Sequence, residues 1–236
     1  MQTMFPPRRS IVILLTLAGI VRSAVGAEAV PFDPALPAKS RCVVAIERLR
    51  PTQFAVGFRE VDDRARNIVR KSPEKFKAYI EEHLPLIVIG PGGEPYLVDG
   101  HHLALALWKY KMAASVEARV EANWRDLAPA EFWKAMRQRG WVYLCDNRGR
   151  GPLDPEKLPK NVTQLTDDPY RALAWAARKR GAYRKTSDSF AEFKWANYFR
   201  GRVAMGDSDA AFDRAVEAAL KISHSPEASN LPGYEP

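Results

Sequence analysis

The sequence predicts an α+β fold, in which a small mixed sheet with flanking helices is followed by a C-terminal helical extension. Short segments rich in β-branched residues alternate with amphipathic segments as far as about residue 145. Beyond residue 165 the periodicity is helical throughout. The 236 residues are enough for one large domain, or for a core domain with an extension.

The elements follow from local signals along the chain. Strands are predicted at residues 41–49, 84–89, 96–99, 115–124 and 141–145. Helices are predicted at residues 61–70, 73–83, 101–111, 128–139, 169–180, 189–202 and 208–222. Ser72 is expected to cap the second helix, with Pro73 in its first position. The domain boundaries that follow are a core at 41–146, a loop or linker at 147–165 and a helical extension at 166–236.

The N-terminal segment predicts export. An Arg-Arg pair precedes an uncharged apolar stretch at residues 11–21, and small residues follow it. Cleavage after Ala27 or Ala29 would satisfy the small-residue rule, which makes residues 1–27 a signal peptide. The apolar stretch is short of the roughly 20 residues that span a bilayer, although an uncleaved anchor is the alternative. We therefore expect a periplasmic or secreted protein with a short N-terminal arm at 28–40 and no membrane span after cleavage.

The charge of the chain favours anionic partners. The formal net charge is +8, and it becomes +5 when residues 1–27, which hold three arginines and no acid, are removed. A mildly basic surface attracts nucleic acid, other phosphate-bearing ligands or acidic lipid. Residues 178–185 are the densest basic patch. The aromatic residues at 175–202 have a helical spacing that predicts core positions, and a nucleic-acid surface of basic and stacking residues is the alternative.

The two cysteines leave two states open. In an oxidising compartment, Cys42 and Cys145 could form a disulfide across a long loop. Such a closure stabilises by about 4–5 kcal/mol in the chain-entropy model. The other state is a pair of free thiols buried in strands, because cysteine is often buried without a partner. The sequence contains no CxxC motif or Cys/His cluster of the zinc-binding kind.

The strand–turn–helix segment around Asp99-Gly100-His101-His102 is the predicted working site. Gly100 permits a backbone conformation that a side chain would block, and Asp99 is expected to cap the helix that begins at His101. The first turn of that helix presents free N–H groups and a positive dipole end, which suits phosphate or carboxylate. The dipole also disfavours imidazolium, so a neutral ring is available as a general base or a hydrogen-bond donor.

A metal ion is a second option for this turn. Adjacent helical residues diverge by about 100°, so His101 and His102 cannot easily share one ion. A divalent metal would need one histidine together with Asp99, Glu47 or Glu60. In the alternative, neither histidine has a catalytic or metal-binding role: one packs at the strand–helix junction and the other is solvated.

Three segments together resemble a known family. They are Leu-Arg-Pro-Thr-Gln at 49–53, Val-Gly-Phe-Arg-Glu-Val at 56–61 and Leu-Val-Asp-Gly-His-His-Leu-Ala-Leu-Ala at 97–106. Their order is similar to that of the ParB/sulfiredoxin-like superfamily, and most similar to its group of ParB-like nucleases. The resemblance extends over residues 41–236 and implies a small mixed sheet whose strand–turn–helix segment binds phosphate.

Departures from the superfamily pattern narrow the expected activity. Leu103 stands where relatives that bind nucleotides carry an arginine, and His101 stands at the sulfiredoxin cysteine. Sulfinic-acid chemistry and tight triphosphate binding are therefore disfavoured. The resemblance places the catalytic residues at Asp99, His101 and His102. It places the ligand-binding residues at Gln53, Gly57, Arg59 and Gly100.

The leading hypothesis is an exported nuclease or phosphoesterase. One histidine would act as base or phosphate donor and Asp99 would orient it, while the helix N-terminus and Arg59 hold the phosphate. The alternative for Arg59 is a surface ion pair with Glu60 or Asp62. A non-enzymatic envelope protein that binds an anionic ligand or partner at the same turn is the second hypothesis. An enzyme dependent on CTP or ATP is the third.

Overall fold

A six-stranded mixed sheet forms the centre of the computed structural model, which describes residues 29–236. Its strands are β1 (Val30–Pro31), β2 (Arg41–Ala45), β3 (Arg50–Pro51), β5 (Leu86–Gly90), β6 (Glu94–Asp99) and β7 (Ser115–Asn123), in the order β1-β2-β7-β5-β6-β3. Antiparallel pairs join β2 to β7 and β5 to β6, and parallel pairs join β5 to β7, β3 to β6 and β1 to β2. The mixed sheet confirms the predicted fold class. The predicted signal peptide, 1–27, lies outside the described residues.

Seven helices surround this sheet within residues 29–236. They are α1 (Phe58–Val69), α2 (Pro73–Glu82), α3 (His101–Lys109), α4 (Pro129–Gln138), α5 (Pro169–Lys179), α6 (Ala191–Phe199) and α7 (Asp209–Ser223). All seven are expected from the sequence, and their ends agree to within three residues. The hydroxyl of Ser72 accepts a hydrogen bond from the Lys75 N–H, which confirms the predicted cap of α2. None of the helices in this part of the chain is both long and apolar enough to span a membrane.

The predicted strand at 41–49 is wrong in its second half. The chain leaves β2 after Ala45, makes a single 3₁₀ turn at Ile46–Arg48 and continues as β3 at the opposite edge of the sheet. Ile46 and Leu49 are fully buried, so the apolar residues that suggest a strand instead anchor this crossover. A short apolar stretch does not distinguish a strand from a buried turn.

The predicted strand at 141–145 is also wrong. Tyr143 makes one isolated parallel bridge with Gln53, and the rest of that segment is loop. Cys145 is consequently in a loop, whereas Cys42 is fully buried in β2. Both cysteines are free, so the structure has the two thiols and not the disulfide. Burial raises the pKa of the Cys42 thiol to about 11.

Three hydrophobic clusters fix the layers. One lies between the sheet and helices α1 and α3, and a second, built around Phe132 and Met136 of α4, covers the other face. The third cluster joins α5, α6 and α7 in the extension. Its members include Trp195, Tyr198 and Phe199, which confirms the core interpretation for these three aromatic residues.

The segment 147–165 connects the core to the extension and packs closely on the core. Val162 is fully buried, and its N–H donates to the carbonyl of Leu49. Immediately afterwards β8 (Thr166–Asp167) pairs with β4 (Ala55–Val56) as a separate two-stranded sheet. The extension is thereby attached beside the first helix of the core, and a cleft lies between the two.

Candidate functional site

The turn before α3 depends on Gly100. This residue has a φ of 94°, and a Cβ atom there would lie 3.0 Å from both Cα and Cβ of Pro85. The prediction that Asp99 caps α3 is wrong, because its Oδ1 accepts from the N–H of Gly100 at 2.7 Å and the helix has no side-chain cap among the described residues. The first N–H groups of α3, at residues 101–103, therefore have no side-chain cap, and these largely buried residues line the cleft.

His101 points into the core. Its Nε2 accepts from the N–H of Thr52 at 3.2 Å, and the carbonyl of Leu97 accepts a hydrogen bond from the ring. The hydroxyl of Thr52 also donates to that carbonyl, at 2.8 Å. Burial lowers the pKa of His101 to about 3, so the ring is neutral at all ordinary pH values. This side chain fastens β3 and β6 to the beginning of α3.

His102 points in a different direction. Its Nε2 accepts from the N–H of Gly57 at 3.2 Å and lies 3.3 Å from Oε2 of Glu60. Burial, followed by the charges of Arg171 and Arg64, holds the pKa of His102 well below its usual value. Nε2 thus faces an N–H donor and a carboxylate at once, so it is occupied within the protein and is not a base for a ligand. When Nε2 accepts from Gly57, the proton of the neutral ring is on Nδ1, which is then a hydrogen-bond donor.

A buried network of charges continues from His102 into the extension. Glu60 is 2 % exposed and accepts from Arg64 at 2.8 Å and from Arg171 at 3.1 Å. Arg171 also pairs with Glu192, which accepts from Arg178 at 2.7 Å. The network joins α1 to α5 and α6. Among the described residues, the buried Nε of Arg171 has no hydrogen-bond partner.

The cleft above this network has a volume of about 730 Å³. The turn at 98–103 forms one wall, the extension at 183–193 forms the other, and the end of α2 lies at the rim. Basic side chains on its lining are Arg64, Arg119, Arg171, Arg178, Arg184 and Lys185. Acidic side chains there are Glu60, Glu81, Glu82, Asp99, Asp188 and Glu192. Arg184 and Lys185 are exposed to solvent, and Arg184 pairs at the surface with Glu235 at 2.9 Å.

Comparison with known proteins shows the family of this chain. The family model described as "Putative ParB-like nuclease" matches residues 42–201. The chain belongs to the ParB-like nuclease family. The crystal structure of protein Atu1540 from Agrobacterium tumefaciens is similar, with 37 % identity and a TM-score of 0.73. The alignment covers 83 % of this chain and 96 % of that chain. No curated protein matches the chain.

Several predicted residues of this ParB-like nuclease family member have contacts away from the cleft. Arg59 pairs with Asp209 at 2.7 Å and lies 4.3 Å above the ring of Phe212, so it has the surface ion pair of the alternative interpretation, but with Asp209 and not with Glu60 or Asp62. Glu47 is exposed and accepts from the indole of Trp108 at 3.1 Å. Neither residue lines the cleft. Arg59 contacts α7 and Glu47 contacts Trp108 of α3.

The remaining candidates are at the cleft or directly beneath it. Gln53 lines the cleft, and its amide donates to the carbonyl of Ala55 at 2.7 Å. Gly57 has a packing role, since a Cβ there would lie 2.7 Å from the backbone of Ala172. Asp99 and Glu60, predicted as metal ligands, both line the cleft. Residues 29–236 contain no cluster of three or more His, Cys, Asp or Glu side chains that could hold a metal ion.

The fold brings together the basic patch at 178–185 and the Asp-Gly-His-His turn, which are far apart in the sequence. In the sequence, the basic patch at 178–185 is a property of the extension, with solubility as its simplest explanation. In the structure Arg178, Arg184 and Lys185 face the Asp-Gly-His-His turn across the cleft. The local sequence does not predict that these two features lie close together, because their proximity depends on how α5 packs on α1.

Proposed function

We propose that this protein binds the phosphate groups of a nucleic acid in the cleft and hydrolyses phosphodiester bonds there. The observation that supports this most strongly is that the first residues of α3 line the cleft opposite Arg184 and Lys185, in a lining that carries as many acidic as basic side chains. Free N–H groups and the positive end of the helix dipole attract a phosphate oxygen. Arg184 and Lys185, which are exposed on the opposite wall, add long-range attraction for a polyanion.

Each residue of the turn has a distinct part in this proposal. The Nδ1–H of His102 donates to a phosphate oxygen, while His101 keeps the turn in position. Asp99 is exposed at the cleft, and one of its oxygens is occupied by the N–H of Gly100. Its other oxygen takes the proton of the attacking water as the bond from phosphorus to the leaving oxygen breaks. The leaving oxygen is protonated from solvent.

We also propose that the protein binds and hydrolyses its substrate outside the cytoplasm. The support is the signal-peptide pattern of residues 1–27 together with Leu103, which replaces the arginine of nucleotide-binding relatives. A periplasm or exterior offers little CTP or ATP but does offer polymeric nucleic acid. These two observations favour a phosphodiester polymer over a nucleoside triphosphate.

Binding is tested with labelled oligonucleotides and residues 28–236. Reversing the charges of Arg184 and Lys185 to Glu should weaken affinity at low salt by about tenfold or more. The dependence of log affinity on log salt should become shallower by about one for each phosphate that the variant no longer neutralises. The matched control is Arg214→Glu with Lys221→Glu, which makes the same charge change at exposed positions of α7 outside the cleft lining. Equal losses in both variants would contradict a local site.

Hydrolysis is tested on the same oligonucleotides with and without a chelator. Asp99→Asn should retain binding and lose cleavage, and loss of wild-type cleavage with chelator would show that the reaction also needs a metal ion. Binding without cleavage by the wild type, across several divalent metals, would refute the nuclease activity. The non-enzymatic anion-binding protein would then be the correct function.

A further inference from the structure

We infer that the cleft also contains a nucleobase-stacking subsite, formed by Phe190 and Trp141. The inference rests on the proposed function, because it assigns the part of the same ligand that lies next to the phosphate. It specifies the substrate class as a phosphodiester that carries an unpaired base. Both side chains line the cleft and are half-buried at its mouth.

Phe190 is held in a backbone conformation that a large side chain rarely adopts. It has a φ of 57° and a ψ of 28°, which is the left-handed region, at the N-cap of α6. A bulky residue in that region is an outlier that the surrounding structure must enforce, and such outliers are frequent at ligand sites. The ring lies 5.3 Å from the ring of Tyr143 and 6.1 Å from that of Phe193. The conformation therefore places a supported aromatic ring at the cleft.

Trp141 also lines the cleft, and the residue before it, Gly140, lies close to Ser189. A Cβ atom at Gly140 would lie 2.5 Å from Oγ of Ser189, so the residue before Trp141 contacts the residue before Phe190. Trp141 stacks on Trp124 with ring centres 5.4 Å apart. The contact between Gly140 and Ser189 thus brings together the two segments that carry Trp141 and Phe190, although 49 residues separate them in the chain.

Thr52 connects the turn before α3 to the segment that supports Phe190 through two hydrogen bonds made by its backbone. The N–H of Thr52 donates to His101, and its carbonyl accepts from the N–H of Tyr143 at 2.9 Å. Tyr143 is the residue against which Phe190 packs. The start of α3 and the ring of Phe190 are consequently connected through Thr52 and Tyr143.

A phosphate site beside aromatic faces selects for nucleotides. Every base has a π-face, so stacking on aromatic side chains is tolerant of sequence. A base inside a duplex is already stacked on its neighbours and must be unpaired or turned out to reach such a site. Bases that stack here should strengthen binding by roughly tenfold or more relative to the backbone alone.

The test compares two labelled single strands of equal length and charge, an oligothymidylate and its abasic counterpart. Wild-type residues 28–236 should bind the base-bearing strand at least tenfold more tightly than the abasic strand. Phe190→Leu and Trp141→Leu each keep an apolar side chain and should reduce that preference severalfold, with little change in affinity for the abasic strand. Trp175→Leu is the matched control, since Trp175 is half-buried on α5 and does not line the cleft.

The outcomes separate the two proposals. Equal binding of both strands by the wild type, with sensitivity to charge reversal at Arg184 and Lys185, would overturn the stacking subsite and leave the proposed function intact. A base preference that survives both Phe190→Leu and Trp141→Leu would also overturn this assignment. Failure of the wild type to bind either strand would overturn both proposals.

Discussion

His101 and His102 are adjacent in the sequence, yet their surroundings differ completely. The ring of His101 is bound to Thr52, and that of His102 to Gly57 and Glu60. Helix geometry predicts that the two rings diverge, and the structure confirms it. The sequence could not show which nitrogen carries the proton, because the N–H donors are 45 and 49 residues away along the chain.

Burial of these rings should make stability fall in mild acid. Burial lowers the folded-state pKa of His101 to about 3, whereas the unfolded chain takes up a proton below about pH 6.5. Unfolding therefore becomes easier as pH falls from 6.5 towards 3, by about 1.4 kcal/mol per pH unit for each such histidine.

The His101→Gln variant removes one of these protons from the unfolded state. Its free energy of unfolding, measured by urea denaturation, should fall by about 2 kcal/mol less than that of wild type between pH 6.5 and pH 5. His83→Gln, at an exposed residue, is the control and should follow the wild-type curve. Parallel curves for wild type and His101→Gln would show that His101 is not buried as a neutral ring.

The element that positions the site is α3 together with the turn that precedes it. The apolar periodicity and the Asp-Gly break are sufficient to predict the start of this helix at His101. They are not sufficient to predict its cap, because Asp and Gly are both favourable N-cap residues and the position of Pro85 decides between them. A side-chain cap at Asp99 would have occupied an N–H group that now faces the cleft.

Gly100→Ala should therefore destabilise the protein more than a comparable change elsewhere. The control is Gly181→Ala, because Gly181 has a similar φ of 90° and open space around it. The left-handed conformation should cost each variant about 1–2 kcal/mol. The contact with Pro85 should add about 1–3 kcal/mol for Gly100→Ala alone, measured by urea denaturation. Equal losses would mean that the turn moves freely away from Pro85.

At the scale of the whole molecule, the site exists only where the core meets the extension. Periodicity and turn residues predict the fold class, the seven helices and four of the eight strands in the described residues, since those signals are local. The charge network from Glu60 to Arg171 spans 111 residues and forms because α5 packs against α1. Neither residue has a sequence neighbourhood that marks it as buried, and Arg171 resembles any helical arginine.

Glu60→Gln tests how strongly this junction holds the molecule together. Removing the carboxylate leaves Arg64 without an acidic partner and Arg171 with Glu192 alone in a buried setting, which should cost about 3–5 kcal/mol of unfolding free energy. Glu217→Gln is the control, because it breaks an exposed pair with Arg180 and should cost about 0–1 kcal/mol. A small loss for Glu60→Gln in urea denaturation would show that solvent reaches the network.

The position of the cleft between separate hydrophobic clusters has a consequence for any occupant. A ligand that touches both walls bridges two parts of the chain that are otherwise held by β4 and β8, α1 and α5, and buried ions. Binding of such a ligand then raises the free energy of unfolding by about 2.7 kcal/mol when the ligand concentration is a hundred times Kd. The melting temperature is thus a label-free way to find the ligand, and a compound that raises it without resembling a nucleotide would identify a different occupant.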